Sequence, residues 1–250
     1  MDGAIGIRDH KNRGSAARIA ESITRVPTGM GGSGRLDQDT EFPFCRSSVR
    51  KFRRGDVIAG AGVLIDMFAR IERGMVCAST PLPDGREFIV EIIPKGGLIG
   101  ELEVLRKQSL SLEYRASSDC ELHFFDGRSL RELYANDPQF QAKILSRAME
   151  RVSELELRII SNAGSSLKQR LARTLLRLSA LYRTDTQNTG DELIISQQDL
   201  AATLPASREK VNQCLRRLRE SKVVDGTQGK IRILNRKALE AYAEGEVSFA

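Results

Sequence analysis

Residues 196–218 read Ser196-Gln-Gln-Asp-Leu-Ala-Ala-Thr-Leu-Pro-Ala-Ser-Arg-Glu-Lys-Val-Asn-Gln-Cys-Leu-Arg-Arg-Leu218. Ser196 stands three residues before Asp199, the spacing of a capping box at the start of a helix. The stretch predicts a short helix over 197–204, closed by Pro205-Ala206, and a second helix from 207 to about 222. Small Ala201 in the first helix permits a close crossing against Val211 and Leu215 of the second. Helix, tight turn and second helix make a helix-turn-helix.

The flanks extend the same unit. Residues 167–181 predict a long helix, and Glu192-Leu193-Ile194-Ile195 a short strand. After the second helix, Val223-Val224, the glycines at 226 and 229, and Ile231-Arg232-Ile233-Leu234 predict a β-wing. Ser207, Arg208, Glu209, Asn212, Gln213 and Arg216 fall in the N-terminal half of the second helix, the part such helices insert into the major groove. Arg bonds guanine O6/N7 bidentately, Asn or Gln suits adenine N6/N7, and Glu accepts from cytosine N4. Arg217, Arg219, Lys222, Lys230 and Arg232 are placed for phosphates. A solvated charged helix is the competing explanation. The capped partner helix, the turn and the wing together favour double-stranded DNA as the partner.

Charge is distributed accordingly. The 250 residues carry 39 Lys+Arg and 33 Asp+Glu, a net of +6. Residues 1–54 hold 11 basic and 6 acidic groups, 55–164 hold 13 and 17, and 165–237 hold 15 and 7; the last 13 residues add three glutamates. Basic ends and an acidic middle suggest a nucleic-acid-facing module joined to something else.

That middle reads as strands. Val49-Arg50-Lys51-Phe52 stops at Arg54-Gly55-Asp56, residues 67–71 stop at Arg73-Gly74, and residues 75–80 stop at Leu82-Pro83-Asp84-Gly85. Residues 87–93 end at Pro94-Lys95-Gly96-Gly97, and residues 121–125 close the series. Pro-Asp-Gly between apolar runs predicts a hairpin, since proline presets one turn dihedral and glycine admits a positive φ. Such spacing implies an antiparallel sandwich or barrel. After Asp137-Pro138 the chain runs without glycine or proline to residue 160, and Ile144, Ala148, Val152, Leu155 and Ile159 recur at spacings of 4, 4, 3 and 4. That stripe suits the seam of a two-helix dimer interface; packing against the helix's own barrel is the alternative. Residues 162–166 break the helix as a domain hinge and offer Ser166 as the next N-cap. The expected organisation is α+β: a tail over 1–40 with a short helix at 16–26, a sensory barrel over 41–136, a dimerisation helix over 137–163 and a DNA-binding module over 164–250.

Several classes are set aside. No apolar run approaches the roughly 20 residues of a membrane span, and the N-terminus has no apolar core of a secretory signal. Cys45, Cys77, Cys120 and Cys214 lie 32, 43 and 94 residues apart, without a close pair to aim two thiolates at one ion. With only His10 and His123 as histidines, no metal site is expected, and a barrel-mouth metalloenzyme is the least favoured class. A non-enzymatic, cytoplasmic protein is the expectation. An effector-sensing module that docks a protein instead of DNA is the alternative.

The arrangement over about residues 50–239 resembles the CRP/FNR superfamily of catabolite-activator and fumarate/nitrate-regulator proteins. The opening stretch fits the family signature without a gap, and Gly100-Glu101-Leu102 followed by Tyr114-Arg115-Ala116 is similar to its sensory cassette. The resemblance implies a double-stranded β-helix, jelly-roll-like barrel, a dimerising helix and a winged helix-turn-helix. It also implies a homodimer on a pseudo-palindromic site, with RNA polymerase as a further partner. Two departures fall in the DNA-reading part. Pro205 replaces the usual turn glycine, so the turn is expected to form without a left-handed residue, and Gln213 replaces an Arg that reads guanine. In nucleotide-binding members, the cassette glutamate bonds the ribose and an Arg–Ser pair holds the cyclic phosphate. Glu101 matches the first, but the pair falls on Leu110-Ser111, in a loop one residue shorter, and Leu155 and Glu156 stand where purine-facing hydroxyls would be. Glu101 and Ser111 are therefore the remaining ligand candidates, and cyclic nucleotide binding is not expected. The clustered cysteines of iron–sulfur members and the axial ligands of haem members are not matched.

Overall fold

Alternation of apolar and polar residues between positions 46 and 126 produces eight strands. The computed structural model describes residues 46–185, 191–227 and 229–245; the expected tail over 1–40, its helix at 16–26 and Cys45 lie outside the described residues. Strands β1 (Arg46–Phe52), β3 (Met67–Arg73), β6 (Leu98–Ile99) and β8 (Cys120–Asp126) form one antiparallel sheet in the order β1-β8-β3-β6. Strands β2 (Val57–Ala59), β4 (Val76–Pro81), β5 (Glu87–Ile93) and β7 (Glu113–Ala116) form the other, ordered β2-β7-β4-β5. The chain changes sheet at every connection except β4–β5, which is jelly-roll connectivity. Among the described residues no ladder joins the sheets, so the expected barrel is corrected to a two-sheet sandwich. Strands that alternate between sheets leave β1 and β6, and β2 and β5, as separate edges.

The hairpin turn forms as its sequence predicts. The Asp84 carboxylate accepts from Arg86 N at 3.1 Å, Gly85 takes φ 79°, and Pro81 pairs with Glu87. Gly74 has a different constraint: at φ 87° an added Cβ would lie 2.3 Å from Asp119 O. Between the sheets pack Ala69, Ile71, Val76, Ala78, Tyr114 and Leu122. The strands at 98–99, 113–116 and 57–59 are two to four residues long, too short for alternation to mark them in the sequence.

Helices follow. These are α1 (Glu101–Arg106), α2 (Gly127–Asn136), α3 (Pro138–Gly164), α4 (Leu167–Asp185), α5 (Gln197–Thr203), α6 (Arg208–Glu220) and α7 (Arg236–Glu244), with wing strands β9 (Glu192–Leu193), β10 (Val224–Asp225) and β11 (Ile231–Ile233). Asp137 starts α3 by accepting from Gln139 N and Phe140 N at 2.9 and 3.1 Å, with Pro138 at the first turn, where its missing N–H costs nothing. The helix continues through Gly164, so the expected break at 162–166 narrows to Ser165 and Ser166. Ser166 then caps α4 reciprocally with Gln169.

The seam expected on α3 is exposed only in part. Ile144 is buried with Phe68, Phe125, Leu130 and Phe140 in the core under the first sheet, so it cannot meet a partner; Ala148 and Leu155 are half-buried. Val152 and Ile159 of the expected stripe are 54 and 68% exposed, and beside them Leu145 and Met149 are 59 and 62% exposed. A helix with apolar residues at both 144 and 145 gives its own sheet the first and solvent the second.

Candidate nucleic-acid interface

Ser196 Oγ accepts from Asp199 N at 2.9 Å and holds the Asp199 carboxylate at 2.7 Å, which starts α5 as its spacing predicts. Leu200, Ala201 and Leu204 bury with Val211, Leu215 and Leu218 of α6, so the two helices share one apolar seam. At the turn, Leu204 N and Ala206 N both bond Ala201 O, at 3.1 and 3.4 Å.

Ser207 caps α6 by accepting from Lys210 N at 3.3 Å, so its hydroxyl orders the helix start. Arg208, Glu209, Gln213 and Arg216 are exposed, because the i, i+3, i+4, i+7 set Val211, Cys214, Leu215 and Leu218 takes the opposite face inward. Arg216 pairs with Glu220 one turn on, at 3.0 Å. Asn212 is half-buried, with an unpartnered Oδ1, and sits at the edge of this row. Arg217 and Lys222 are exposed, whereas Arg219 is half-buried with its Nε enclosed.

The wing is a three-stranded sheet ordered β10-β11-β9. Ile231 and Ile233 point inward and Arg232 outward. Glu192, whose role the sequence did not reveal, holds Lys230 Nζ at 2.9 Å and Arg232 Nη2 at 3.4 Å. The Lys230 hydrogen bond and charge, with Arg232, hold its carboxyl below the usual range. Exposed pairs of this kind contribute little to stability, so a phosphate can exchange for the carboxylate. Beside α6, a cavity of about 420 Å³ is lined by Ser166, Lys168 and Gln169 of the α4 start and by Gln213 and Arg217. Lys168 thereby joins the basic surface. Its sequence signal was the Ser166 cap, which places the first turn of α4.

The opposite side of the module docks on the β4–β5 hairpin. Met75, Cys77, Ile89 and Ile92 belong to the same buried cluster as Leu171, Leu175 and Leu200. Arg115 of β7 bonds Glu87 at 3.1 and 3.2 Å and Asp199 at 3.3 Å, and Arg54 stands 3.7 Å from Asp199. The cassette arginine thus faces the helix-turn-helix.

In the cassette, Leu110 is buried between the sheets and Ser111 is exposed. Arg106 and Lys107 are exposed and do not turn inward. Glu101 opens α1, and burial raises its carboxyl pKa against the pull of Arg147 and Arg151. Burial pushes the Cys77 thiol up to about 11, which suits a packed side chain rather than a reactive thiolate. His123 is half-buried beside Glu121, 3.4 Å away. Among the described residues no group of three or more His, Cys, Asp or Glu could hold a metal, and no helix is long and apolar enough to cross a membrane.

Two family descriptions match in chain order: a cyclic nucleotide-binding domain over residues 49–137 and a Crp-like helix-turn-helix domain over 169–242. The chain is 24% identical over 230 residues to the HTH-type transcriptional regulator Cmr of Mycobacterium tuberculosis, covering 92% of this chain and 88% of that protein. It is 27% identical over 179 residues to the cAMP-activated global transcriptional regulator Vfr of Pseudomonas aeruginosa, covering 70% of this chain and 84% of that one. A solved transcriptional regulator of the CRP/FNR family from Thermus thermophilus superposes with a TM-score of 0.66 at 26% identity, over 79% of this chain and 98% of that one. With a jelly-roll, a long helix and a capped helix-turn-helix in that order, the chain belongs to the CRP/FNR superfamily of DNA-binding transcription regulators.

Proposed function

We propose that two copies of the chain, joined along α3, read a pseudo-palindromic duplex with one α6 in each of two successive major-groove faces. The observation that carries this reading is the outward row Arg208, Glu209 and Gln213 on a helix whose other face is locked into the module core. Leu145, Met149, Val152 and Ile159 supply the seam, at spacings of 4, 3 and 7 along α3, with Glu156 at the intervening position. RNA polymerase as a second partner and a cytoplasmic location accompany the family reading, and the chain works by binding rather than by catalysis.

The effector is not cyclic AMP in this reading. Leu110 and Ser111 stand at the phosphate-binding pair, and Leu110 is packed in the sandwich core. A phosphodiester buried there without a cation would forfeit about 2–5 kcal/mol. Relatives named for activation by cAMP therefore share the frame, while this chain's cassette supplies only the ribose-side Glu101.

Selection of bound sequences from random duplexes tests the whole reading. The expected site has two related half-sites, altered from the family consensus at the base facing Gln213. Gln213→Arg shifts preference to guanine there by about 1–3 kcal/mol, and saturating cyclic AMP leaves the affinity unchanged. A monomeric protein that retains no duplex at low ionic strength overturns it.

A further inference from the structure

A cleft of about 100 Å³ lies between the turn after β5, α1, α3 and the middle of α4. Three arginines enter it: Arg147 and Arg151 from α3 and Arg177 from α4. Arg151 is answered by Glu91 at 2.8 Å. The other two are not answered. Among the described residues neither Arg147 nor Arg177 makes a hydrogen bond or an ion pair, and Nη1 of Arg147 is enclosed without a partner. Burial draws both guanidinium pKa values down, opposed at longer range by Glu101, Glu150 and Glu91 on Arg147 and by Glu154 and Glu91 on Arg177.

Two partly buried guanidinium groups that face one cavity without an ion-pair partner favour an anion between them. Planar guanidinium forks match oxyanions bidentately. Lys95, which is exposed, adds a fourth cation. Glu91, Glu101, Glu150 and Glu154 share the cleft; Glu91 is taken by Arg151, and burial raises the carboxyl pKa of Glu101 and Glu154. Glu150 is exposed and takes Ser146 Oγ at 3.3 Å.

We propose that this cleft binds a small multivalent oxyanion, phosphate- or carboxylate-bearing, held between Arg147 of the dimerisation helix and Arg177 of the DNA-binding module. The volume suits a phosphate-sized group and is too small for a nucleotide. Both guanidinium groups also lie outside the residues matched by the cyclic nucleotide-binding family. Because Arg177 belongs to α4, an anion there ties the DNA-binding module to α3 and the sensing sheets. It is a route by which an effector other than a cyclic nucleotide would set the module's position.

Calorimetry on the full chain without DNA tests this, using inorganic phosphate and citrate against chloride at matched ionic strength. Saturable binding of one phosphate or citrate per chain is expected. It should weaken at least tenfold in Arg147→Met and in Arg177→Met, and persist in Arg208→Ala, which removes a cation from the recognition helix. Circular dichroism monitors folding, and if Arg177→Met does not fold, Arg147→Gln carries the test. Binding of only one of the two anions supports the site and names its chemistry. Heat reproduced by chloride, heat undiminished in the Arg147 and Arg177 variants, or heat lost in Arg208→Ala overturns the proposal. DNA is absent throughout, so failure here is distinct from failure of the DNA-reading test.

Discussion

The winged module meets the jelly-roll sheets through one face and solvent through the other, and the two faces are held by different interactions. On the docking side, Met75, Cys77, Ile89 and Ile92 close a continuous apolar cluster with Leu171, Leu175 and Leu200, and the Asp199 side chain, 11% exposed, sits among Arg115 and Arg54. On the reading side, Arg216, Lys230 and Arg232 are 80, 60 and 63% exposed and pair with Glu220 or Glu192. Burial fixes position and is indifferent to salt, while exposed pairs are weak, screened and exchangeable. One face therefore holds the module in place, and the other is free to trade carboxylates for phosphates.

The largest expected effect comes from breaking the docking face. Ile89→Ala removes a fully buried side chain from the shared cluster and should cost about 2–5 kcal/mol. Ile71→Ala, equally buried but in the core between the sheets, should cost a similar amount. The two differ in where protection is lost. Hydrogen exchange should show α4 and α5 loosened by Ile89→Ala and spared by Ile71→Ala. Equal loosening by both would mean that the module is not separately docked.

The polar part of the same face should respond less. Asp199→Asn removes the charge that Arg115 and Arg54 share, while Glu87 still partners Arg115, so about 1–2 kcal/mol is expected from one weakened charge-assisted bond. Denaturant midpoints at low and high salt check it. The loss should persist at high salt because the pair is largely enclosed; a loss that vanishes there would place Asp199 with the exposed pairs.

The sequence makes the two faces unequally visible. The reading face is local: Ser196, Asp199, Ser207 and the apolar set at 211, 214, 215 and 218 lie within one stretch, and helical period alone turns Arg208 and Gln213 outward. The docking face is not. Asp199 meets Arg115 across 84 residues of chain, and no spacing announces such a pair. Strand β4 is buried over its first four residues because Val76 and Ala78 face the first sheet while Cys77 faces the module. Its apolar run was legible as a strand, but not the partner on its outer side. The α3 seam shows a third limit. Ile144 and Leu145 are adjacent and both apolar, so periodicity cannot choose between them; Phe68, Phe125 and Phe140, gathered from three elements, make the choice.

The smallest expected effect on stability separates the two faces most cleanly. Arg232→Ala deletes a wing cation whose carboxylate partner is 3.4 Å away and already held by Lys230. The thermal midpoint should therefore not move. DNA affinity should fall by a similar factor for every sequence tested, and the slope of log affinity against log salt should shrink by about one for the phosphate no longer neutralised. Glu192→Gln acts on the same pair from the other side. It removes the charge that competes with the phosphate for Lys230 and Arg232, so affinity should rise while sequence preference stays fixed. If Arg232→Ala instead changed preference at one base, the wing would be reading sequence. If it destabilised the fold, the pair with Glu192 would belong with the docking contacts. An unchanged midpoint with a reduced salt slope is the signature of a contact made to the DNA backbone and not to the rest of the chain.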